Sequence, residues 1–452
     1  MKKIITFLSV WILIFSLNIG SAFAASLPSY LPEEGVVIKE QSSGDVLAKQ
    51  NENERYYPAS TTKLMTALVT LDIMSEHLDE SVVIGEEVTV FDYDSSTAKL
   101  EVDEKYTYRQ LLYGLLLPSG NDAANTLATN VGKSIKNDTA LPYQEAIDTF
   151  VERMNEKGTE LGLTSTHFVN PHGLHDPDHY TTPEELLKIS ETALSNPEIA
   201  KITGTKTYEM KTSTGKDQKW QNSNMLLYPD LSELTYKIIE GSNQNPYYNS
   251  KATGGKTGNT DEGGRCLVFT AKDGDKAIIG VIMKGQKNKI FGQADDTISA
   301  LSNDYTLTNW TDNNNLYQKI EIENVRFKDG SELTLKTDTP YRSMVEKDKE
   351  YAVEPHFNEG LFEEKEGALT IQQKINAGQQ IGELVVYDGS EAIKSTPLYA
   401  ENEMNVRTIL DYLMKYWYIV TALLILISIG IFVMANKRKR ARKRRRRNKI
   451  QH

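Results

Sequence analysis

Three short polar segments constrain the possible fold of this chain more than any other feature of the sequence. They are Ser60-Thr61-Thr62-Lys63, Ser119-Gly120-Asn121 and Lys256-Thr257-Gly258. The surrounding hydrophobic pattern predicts that the first segment begins a helix, the second joins two helices and the third lies on a strand. If the three act together, the fold has to bring helix ends and the edge of a sheet to one cleft.

Ser60 and Lys63 have the residue types and the spacing of a nucleophile and its base. Pro58 disfavours helical geometry before it, so a helix is expected to begin just after it, with Ser60 and Lys63 on one face. A serine hydroxyl needs a neighbouring base, and a lysine is a base only if its pKa is depressed. Lys256 is the expected second cation that depresses it. The alternative is that Ser60 is a helix cap and Lys63 a solvated surface residue.

The second segment is predicted to be a turn between two helices. A capping box at 107–110 begins an apolar helix that Pro118 ends, and another helix is expected from Asn121 or Asp122. Such a turn would project Ser119 and Asn121 into a cleft. There Ser119 could pass a proton and the Asn121 amide could hold a substrate carbonyl. The alternative is that Ser-Gly-Asn is only a helix-breaking turn.

The third segment is predicted to lie on a strand beside a β-hairpin with an Asp-Gly turn. Lys256 and Thr257, a cation and a hydroxyl on an edge strand, suit the capture of a substrate carboxylate. Gly258 would let the backbone come close to a ligand. The N–H groups of Asn259 and Ser60 are expected to form an oxyanion hole.

Longer strings around these segments resemble the low-molecular-mass penicillin-binding proteins, specifically the serine-type D-alanyl-D-alanine carboxypeptidases. The resemblance covers most of residues 30 to 400 and is carried by residues 58–66, 115–124, 168–174 and 255–261. It implies an acyl-enzyme mechanism on peptidoglycan stem peptides, covalent inhibition by β-lactam antibiotics, and no cofactor or metal. The implied catalytic residues are Ser60, Lys63 and Ser119, and the implied substrate-binding residues are Asn121, Lys256, Thr257, Gly258 and Asn259.

Two departures from the family pattern concern the cleft. Many members carry histidine where this chain has Asn259, which affects the catalytic rate and its pH dependence. The stretch from Asn222 to Gly255 is also longer than in the family, and its polar run at 240–250 is expected to be a surface loop near the cleft.

The predicted fold class is α/β (α+β). The resemblance implies an α/β/α serine acyltransferase domain, of the β-lactamase/transpeptidase-like kind, with an antiparallel sheet. Strands are expected from Val36 to Gln50 and after Lys256, with helices between them and a last helix around 295–310. Alternating apolar residues beyond 316 predict a small all-β domain. The expected segments are a signal peptide at 1–24, a catalytic domain at 25–315, a β-rich domain at 316–400, a linker at 401–415, a transmembrane helix at 416–435 and a basic tail at 436–452.

Both chain ends predict export and membrane anchoring. Two lysines, an apolar stretch and Ala22-Phe23-Ala24 are typical of a cleavable signal, with a retained N-terminal anchor as the alternative. Residues 416–435 carry no charge, and eleven Lys and Arg follow between Lys437 and Lys449. The positive-inside rule then predicts a single pass, with the catalytic domain extracellular, the C-terminus cytoplasmic and the tail on membrane lipid.

The charge and the cysteine content limit which binding partners and which covalent cross-links the protein can have. Of the 51 basic residues, 38 lie between the signal and the tail with all 62 acidic residues, so the exported part has a net charge of about −24. Such an acidic surface does not favour polyanions, and no nucleic-acid partner is predicted. Cys266 is the only cysteine, which excludes an intrachain disulfide, and it is expected to be buried in a strand.

Four alternatives stay open from the sequence. A loop with His172, His175 and His179 could hold a metal ion, although its prolines and glycine place nothing on one helix face. A β-lactamase fits less well, because the second segment is Ser-Gly-Asn rather than Ser-Asp-Asn and no Glu-x-x-Leu-Asn is found. A D,D-transpeptidase and a catalytically silent wall-binding protein are the other two.

Overall fold

The computed structural model describes residues 27–91, 95–234, 244–287, 289–365 and 367–448, so the expected signal at 1–24 lies outside it. The chain divides into two compact units, residues 1–308 with 342–349 and residues 309–341 with 350–452. Residues 342–349 thus belong to the first unit, although they lie beyond the predicted boundary at residue 315.

The described helices, in chain order, are α1 Lys63–Met74, α2 Tyr108–Leu116, α3 Asn121–Lys136, α4 Tyr143–Glu160, α5 Pro183–Ser195, α6 Pro197–Gly204, α7 Ile290–Asn303, α8 Ile409–Lys415 and α9 Trp417–Asn448.

Local chemistry explains where several of these helices begin. The Thr107 hydroxyl accepts the Gln110 N–H while the Gln110 side chain accepts the Thr107 N–H, so the predicted capping box at the start of α2 is confirmed. Before α5 only half of that pattern forms. Thr182 accepts the Glu185 N–H, but the Glu185 carboxylate instead accepts N–H groups from Thr164 and Ser165.

An antiparallel sheet forms the centre of the first unit, with the order β2-β1-β9-β8-β7. Strands from both ends of the unit meet in it, because β1 pairs with β9. The described strands, in chain order, are β1 Gly35–Glu40, β2 Val46–Gln50, β3 Ser81–Val83, β4 Lys105–Thr107, β5 Thr207–Lys211, β6 Asp217–Gln221, β7 Ala252–Thr260, β8 Gly264–Asp273, β9 Lys276–Gly285, β10 Tyr305–Asn309, β11 Leu316–Glu321, β12 Glu332–Lys336, β13 Arg342–Glu346, β14 Tyr351–Phe357, β15 Phe362–Lys365, β16 Ala368–Ile371, β17 Gln380–Asp388 and β18 Glu391–Ala400.

Both faces of this sheet are buried under helices. Val36 and Ile38 on β1 pack in a cluster with Ile298 of α7, whereas Val37 between them packs in a cluster with Leu64 of α1 and with α5. Each fully buried Val, Leu or Ile contributes about 1.5–3 kcal/mol relative to an exposed one. The predicted α/β/α architecture is confirmed, and the buried state of Cys266 is confirmed with it.

Two predicted boundaries shift. The last helix of the first unit, α7, begins at Ile290 and ends at Asn303, earlier than the predicted range of 295–310, because the chain turns into β10 at Tyr305. The turn of the β8–β9 hairpin consists of Gly274 and Asp275, one residue later than the predicted Asp-Gly, with Gly274 at a φ of 60°.

The second unit is built on another antiparallel sheet, with the order β11-β12-β18-β17-β14, and a β15–β16 hairpin. Strand β17 buries Ile381, Leu384 and Val386, so the alternation that predicted a small all-β domain does correspond to a sheet with a buried face. Residues 401–415, expected as a linker, are bonded to this unit: Val406 bridges Val325, and α8 follows.

The C-terminal helices differ in their packing. Asp411 of α8 is buried and lies 3.6 Å from Arg326, while Leu410 and Met414 are about 60% exposed. Among the described residues α9 alone is long and apolar enough to cross a membrane, by length and composition, over Trp417–Arg445.

Candidate active site

A 3-10 turn, Ala59–Thr62, carries Ser60 and leads into α1 at Lys63. The helix therefore begins later than the sequence predicted. Ala59, the first residue of the turn, has a left-handed φ of 49° that is incompatible with an α-helix. The turn leaves Ser60 half-buried at the N-terminal end of α1, where its Oγ faces the first helical residue.

The Lys63 amine is buried and has three close partners. Its Nζ lies 2.9 Å from Ser60 Oγ, 2.7 Å from Asn121 Oδ1 and 2.7 Å from the His172 carbonyl oxygen. The amide and carbonyl oxygens only accept, so a neutral amine donates its two N–H groups to them and directs its lone pair at the Ser60 hydroxyl. Burial, reinforced by the nearby Lys256, holds the pKa of Lys63 well below its ordinary value.

Ser119 lies on the turn between α2 and α3 with a left-handed φ of 64°. Such strain costs about 1–3 kcal/mol and persists where the surrounding structure fixes it. The Ser119 Oγ accepts from Lys256 Nζ at 2.8 Å. Asp122, which sequence reasoning did not single out, supports the turn by accepting the N–H groups of Ala98 and Leu100 at 2.7 and 3.0 Å.

Strand β7 is an edge strand and carries the third segment past Ser60. The Lys256 side chain is 1% exposed, and burial lowers its pKa to about 7. Its Nζ donates to the Thr257 carbonyl at 2.7 Å as well as to Ser119. A Cβ on Gly258 would lie 3.1 Å from the Ser60 backbone nitrogen, so this glycine permits the close approach of the strand to the turn.

A second hydroxyl that the sequence did not indicate lies beside Thr257. Ser223 Oγ is 2.5 Å from Thr257 Oγ1, and the Ser223 N–H donates to the Leu117 carbonyl at 3.1 Å. Ser223 thus connects the chain just before the second segment with the third segment. Asn259 is exposed at the end of β7, opposite Arg265 of β8.

The histidine-rich loop lies next to this cleft, and its rings have protein partners. His172 directs its carbonyl at Lys63, and its Nδ1 accepts the Leu174 N–H at 3.2 Å. Burial holds the pKa of His172 well below its ordinary value. His179 is buried against the turn that carries Ser60. Within the described ranges, no group of three or more His, Cys, Asp or Glu is arranged to hold a metal ion.

The helix-covered antiparallel sheet, with a serine and two buried lysines at its edge, has the architecture of the penicillin-recognising serine enzymes. A solved structure supports this class: the Streptomyces K15 DD-transpeptidase aligns with a TM-score of 0.52 and 32% identity, over 61% of this chain and 98% of that one. Residues 22–238 match the D-alanyl-D-alanine carboxypeptidase family, and residues 312–406 match the C-terminal domain of penicillin-binding protein 5.

Curated relatives agree with the family match. A D-alanyl-D-alanine carboxypeptidase of Streptomyces strain K15 is 34% identical over 275 residues, which cover 59% of this chain and 86% of the relative. D-alanyl-D-alanine carboxypeptidase DacF of Bacillus subtilis is 26% identical over 429 residues, 92% of this chain and 98% of the relative. The chain belongs to the D-alanyl-D-alanine carboxypeptidase family, and the resemblance drawn from its motifs is confirmed.

Proposed function

We propose that this protein is a serine D-alanyl-D-alanine carboxypeptidase, which removes the terminal D-Ala from peptidoglycan stem peptides and is acylated by β-lactams at Ser60. The observation that carries the proposal is the buried Lys63 amine 2.9 Å from Ser60 Oγ. Because burial holds the pKa of Lys63 well below its ordinary value, this amine can take a proton that an exposed, charged lysine could not. The names of both curated relatives support the substrate class.

In the acylation step, Ser60 Oγ attacks the carbonyl carbon of the penultimate D-Ala while its proton passes to Lys63 Nζ. The new ester bond forms as the C–N bond to the terminal D-Ala breaks. The departing amine needs a proton, and Ser119 is the proposed relay that passes it from Lys63 Nζ to the leaving nitrogen, so that Lys63 is neutral again before the second step. The backbone N–H groups of Ser60 and Asn259 are the proposed oxyanion hole.

Lys256 and Thr257 are the proposed site for the terminal carboxylate, with Gly258 allowing the substrate backbone to come close. Asn121 is the proposed partner of a substrate carbonyl. In the second step water attacks the ester, the bond to Ser60 Oγ breaks, and a water proton returns to Ser60 through Lys63. The free stem peptide then leaves.

Labelling by fluorescent penicillin tests the nucleophile. The detergent-solubilised full chain should form a covalent adduct, and Ser60→Ala should abolish it while circular dichroism and melting temperature stay near those of the parent. Ser75→Ala is the matched control, because Ser75 is exposed at the opposite end of α1. Undiminished labelling of Ser60→Ala would place the nucleophile elsewhere.

A peptide assay tests the reaction. Diacetyl-Lys-D-Ala-D-Ala should release free D-Ala, and penicillin hydrolysis should be slow. Transpeptidation is the second candidate, because the solved Streptomyces K15 structure bears that name. Products joined to an added amine acceptor would favour it. Fast penicillin turnover without D-Ala release would favour a β-lactamase.

For the membrane we propose a single pass, with the catalytic unit outside and the basic tail in the cytoplasm on anionic lipid. The apolar stretch of α9 supports a span, and the eleven Lys and Arg that follow it support the orientation.

A further inference from the structure

A buried histidine–threonine pair lies directly behind the candidate nucleophile. His179 and Thr62 are each 2% exposed, and His179 Nε2 lies 2.8 Å from Thr62 Oγ1. Thr62 is the last residue of the turn that holds Ser60, and it directly precedes Lys63, the first residue of α1. Neither side chain of the pair has a part in the chemical steps proposed above.

The hydrogen bonds of His179 fix its tautomer. The Val169 N–H donates to Nδ1 at 3.2 Å, so Nδ1 carries a lone pair. A neutral imidazole then has its proton on Nε2, which donates to the Thr62 hydroxyl. Burial lowers the pKa of His179 to about 4, which keeps the ring in this neutral form near pH 7. The ring therefore joins two backbone segments through one donor and one acceptor.

Two further bonds join the same loop to α1. The Thr66 hydroxyl donates to the Pro171 carbonyl at 2.5 Å, and the Lys63 amine is 2.7 Å from the His172 carbonyl. The loop packs closely on the turn as well, since a Cβ on Gly173 would lie 1.8 Å from the Ala59 carbonyl oxygen. Of these contacts, the hydrogen bond from His179 is the one made to Thr62, the residue that directly precedes the base Lys63.

We propose that His179 is a positioning residue for acylation. Through Thr62 it fixes the 3-10 turn, so that Ser60 Oγ stays at the lone pair of Lys63 while the His172 carbonyl orients that amine. Displacing reacting groups by about 1 Å costs up to about 100-fold in rate, so loss of this bond should slow the chemical step more than it weakens binding. The proposal rests on the proposed acylation of Ser60.

The test compares substitutions that differ by one hydroxyl in the full-length, detergent-solubilised protein. Thr62→Val removes the acceptor of the His179 bond at nearly constant volume, and Thr62→Ser restores a hydroxyl. Thr70→Val is the matched control, because Thr70 is a buried threonine like Thr62 but lies inside α1, where its hydroxyl donates to the Thr66 carbonyl one helical turn earlier. The readout is the acylation rate constant at saturating fluorescent penicillin, measured separately from the apparent dissociation constant.

We expect Thr62→Val to lower the acylation rate constant by about 10- to 100-fold with a dissociation constant within about 3-fold of the parent. Thr62→Ser should recover most of the rate, and Thr70→Val should retain it. His179→Leu should lower the rate as well, because leucine has no donor for the Thr62 hydroxyl. Combining it with Thr62→Val should add little further loss, because both changes remove the same bond.

A parental acylation rate for Thr62→Val would overturn the positioning role, as would additive losses in the double variant. An equal loss in Thr70→Val would also overturn it, because it would assign the effect to general destabilisation of α1. Failure of the unsubstituted protein to form an adduct at Ser60 would instead overturn the proposed function, and the positioning role with it.

Discussion

At the scale of single residues, burial decides the chemistry of two lysines. Exposed lysines have a pKa near 10.4 and are cations throughout the physiological range. Lys63 and Lys256 are at most 1% exposed, and desolvation is the main cause of the lowered pKa of each. The two amines have different neighbours: Lys63 faces Ser60, and Lys256 faces Ser119. Burial therefore lets Lys63 act as a base toward Ser60, whereas Lys256 can bind a carboxylate as a cation in the pH range below its own pKa.

The pKa of Lys256, about 7, predicts how substrate binding depends on pH. A lysine is charged below its pKa, so the cation proposed to bind the substrate carboxylate is lost as the pH rises through 7. The KM for diacetyl-Lys-D-Ala-D-Ala should therefore rise several-fold between pH 6.5 and 9. The kcat should fall less, because a bound carboxylate raises the pKa of Lys256. Steady-state kinetics across this pH range would check both expectations. A constant KM would contradict the proposed role of Lys256.

At the scale of elements, the loop at 168–174 and the turn at 59–62 behave as one packed unit. Gly173 has a φ of 85°, and a Cβ there would lie 1.8 Å from Ala59 O and 2.9 Å from Thr62 Oγ1. Gly215 has the same φ of 85° but nothing within 4 Å of its Cβ position. Substitutions at the two glycines therefore measure two different effects. A side chain at Gly215 meets only the strain of a left-handed backbone, whereas one at Gly173 also meets a close contact.

Gly173→Ala and Gly215→Ala should differ for this reason. Gly215→Ala should lose about 1–2 kcal/mol of unfolding free energy from backbone strain alone and should keep its acylation rate. Gly173→Ala should lose clearly more stability and at least about 10-fold in acylation, because the loop must move away from the turn. Urea unfolding and penicillin labelling measure both effects. Equal behaviour of the two variants would contradict the close packing of loop and turn.

At the scale of the whole molecule, the proposed anchor extends beyond α9. Helix α8 exposes Ile409, Leu410 and Met414 at 80%, 61% and 58%. These apolar side chains immediately precede the apolar stretch that begins at Trp417. A chain that stops after Lys415 thus keeps an apolar helix on its surface, whereas a chain that stops before Ile409 does not.

Two truncations and a protease test the anchor and its orientation. Stopping before Ile409 should release an active soluble protein, whereas stopping after Lys415 should leave a fraction on lipid vesicles, because the apolar side of α8 remains. In intact cells an external protease should digest the catalytic unit of the full chain and spare an epitope placed after His452. Cleavage of that epitope from outside, or a membrane-bound form of the shorter truncation after signal removal, would contradict the single-pass arrangement.

The sequence by itself determined the features that depend on a few neighbouring residues. Capping at Thr107, the helix start at Asn121, the hairpin from 36 to 50 and the apolar stretch after 416 are all encoded locally, because capping, side-chain periodicity and turn chemistry act over only a few positions. Three such local patterns in order were also enough to identify the family. The left-handed conformation of Ala59 was not predicted, because residues of many kinds adopt it only when tertiary contacts compensate its strain.

Only the tertiary structure decided the properties that depend on distance and burial between remote residues. The lowered pKa of Lys63 comes mainly from burial, and two residues that contact its amine, Asn121 and His172, lie 58 and 109 positions away in the chain. The contact of Thr62 with His179 spans 117 positions, and that of Ser223 with Thr257 spans 34. Desolvation and hydrogen bonding across such separations arise from packing of the whole unit, and no local pattern in the sequence carries them.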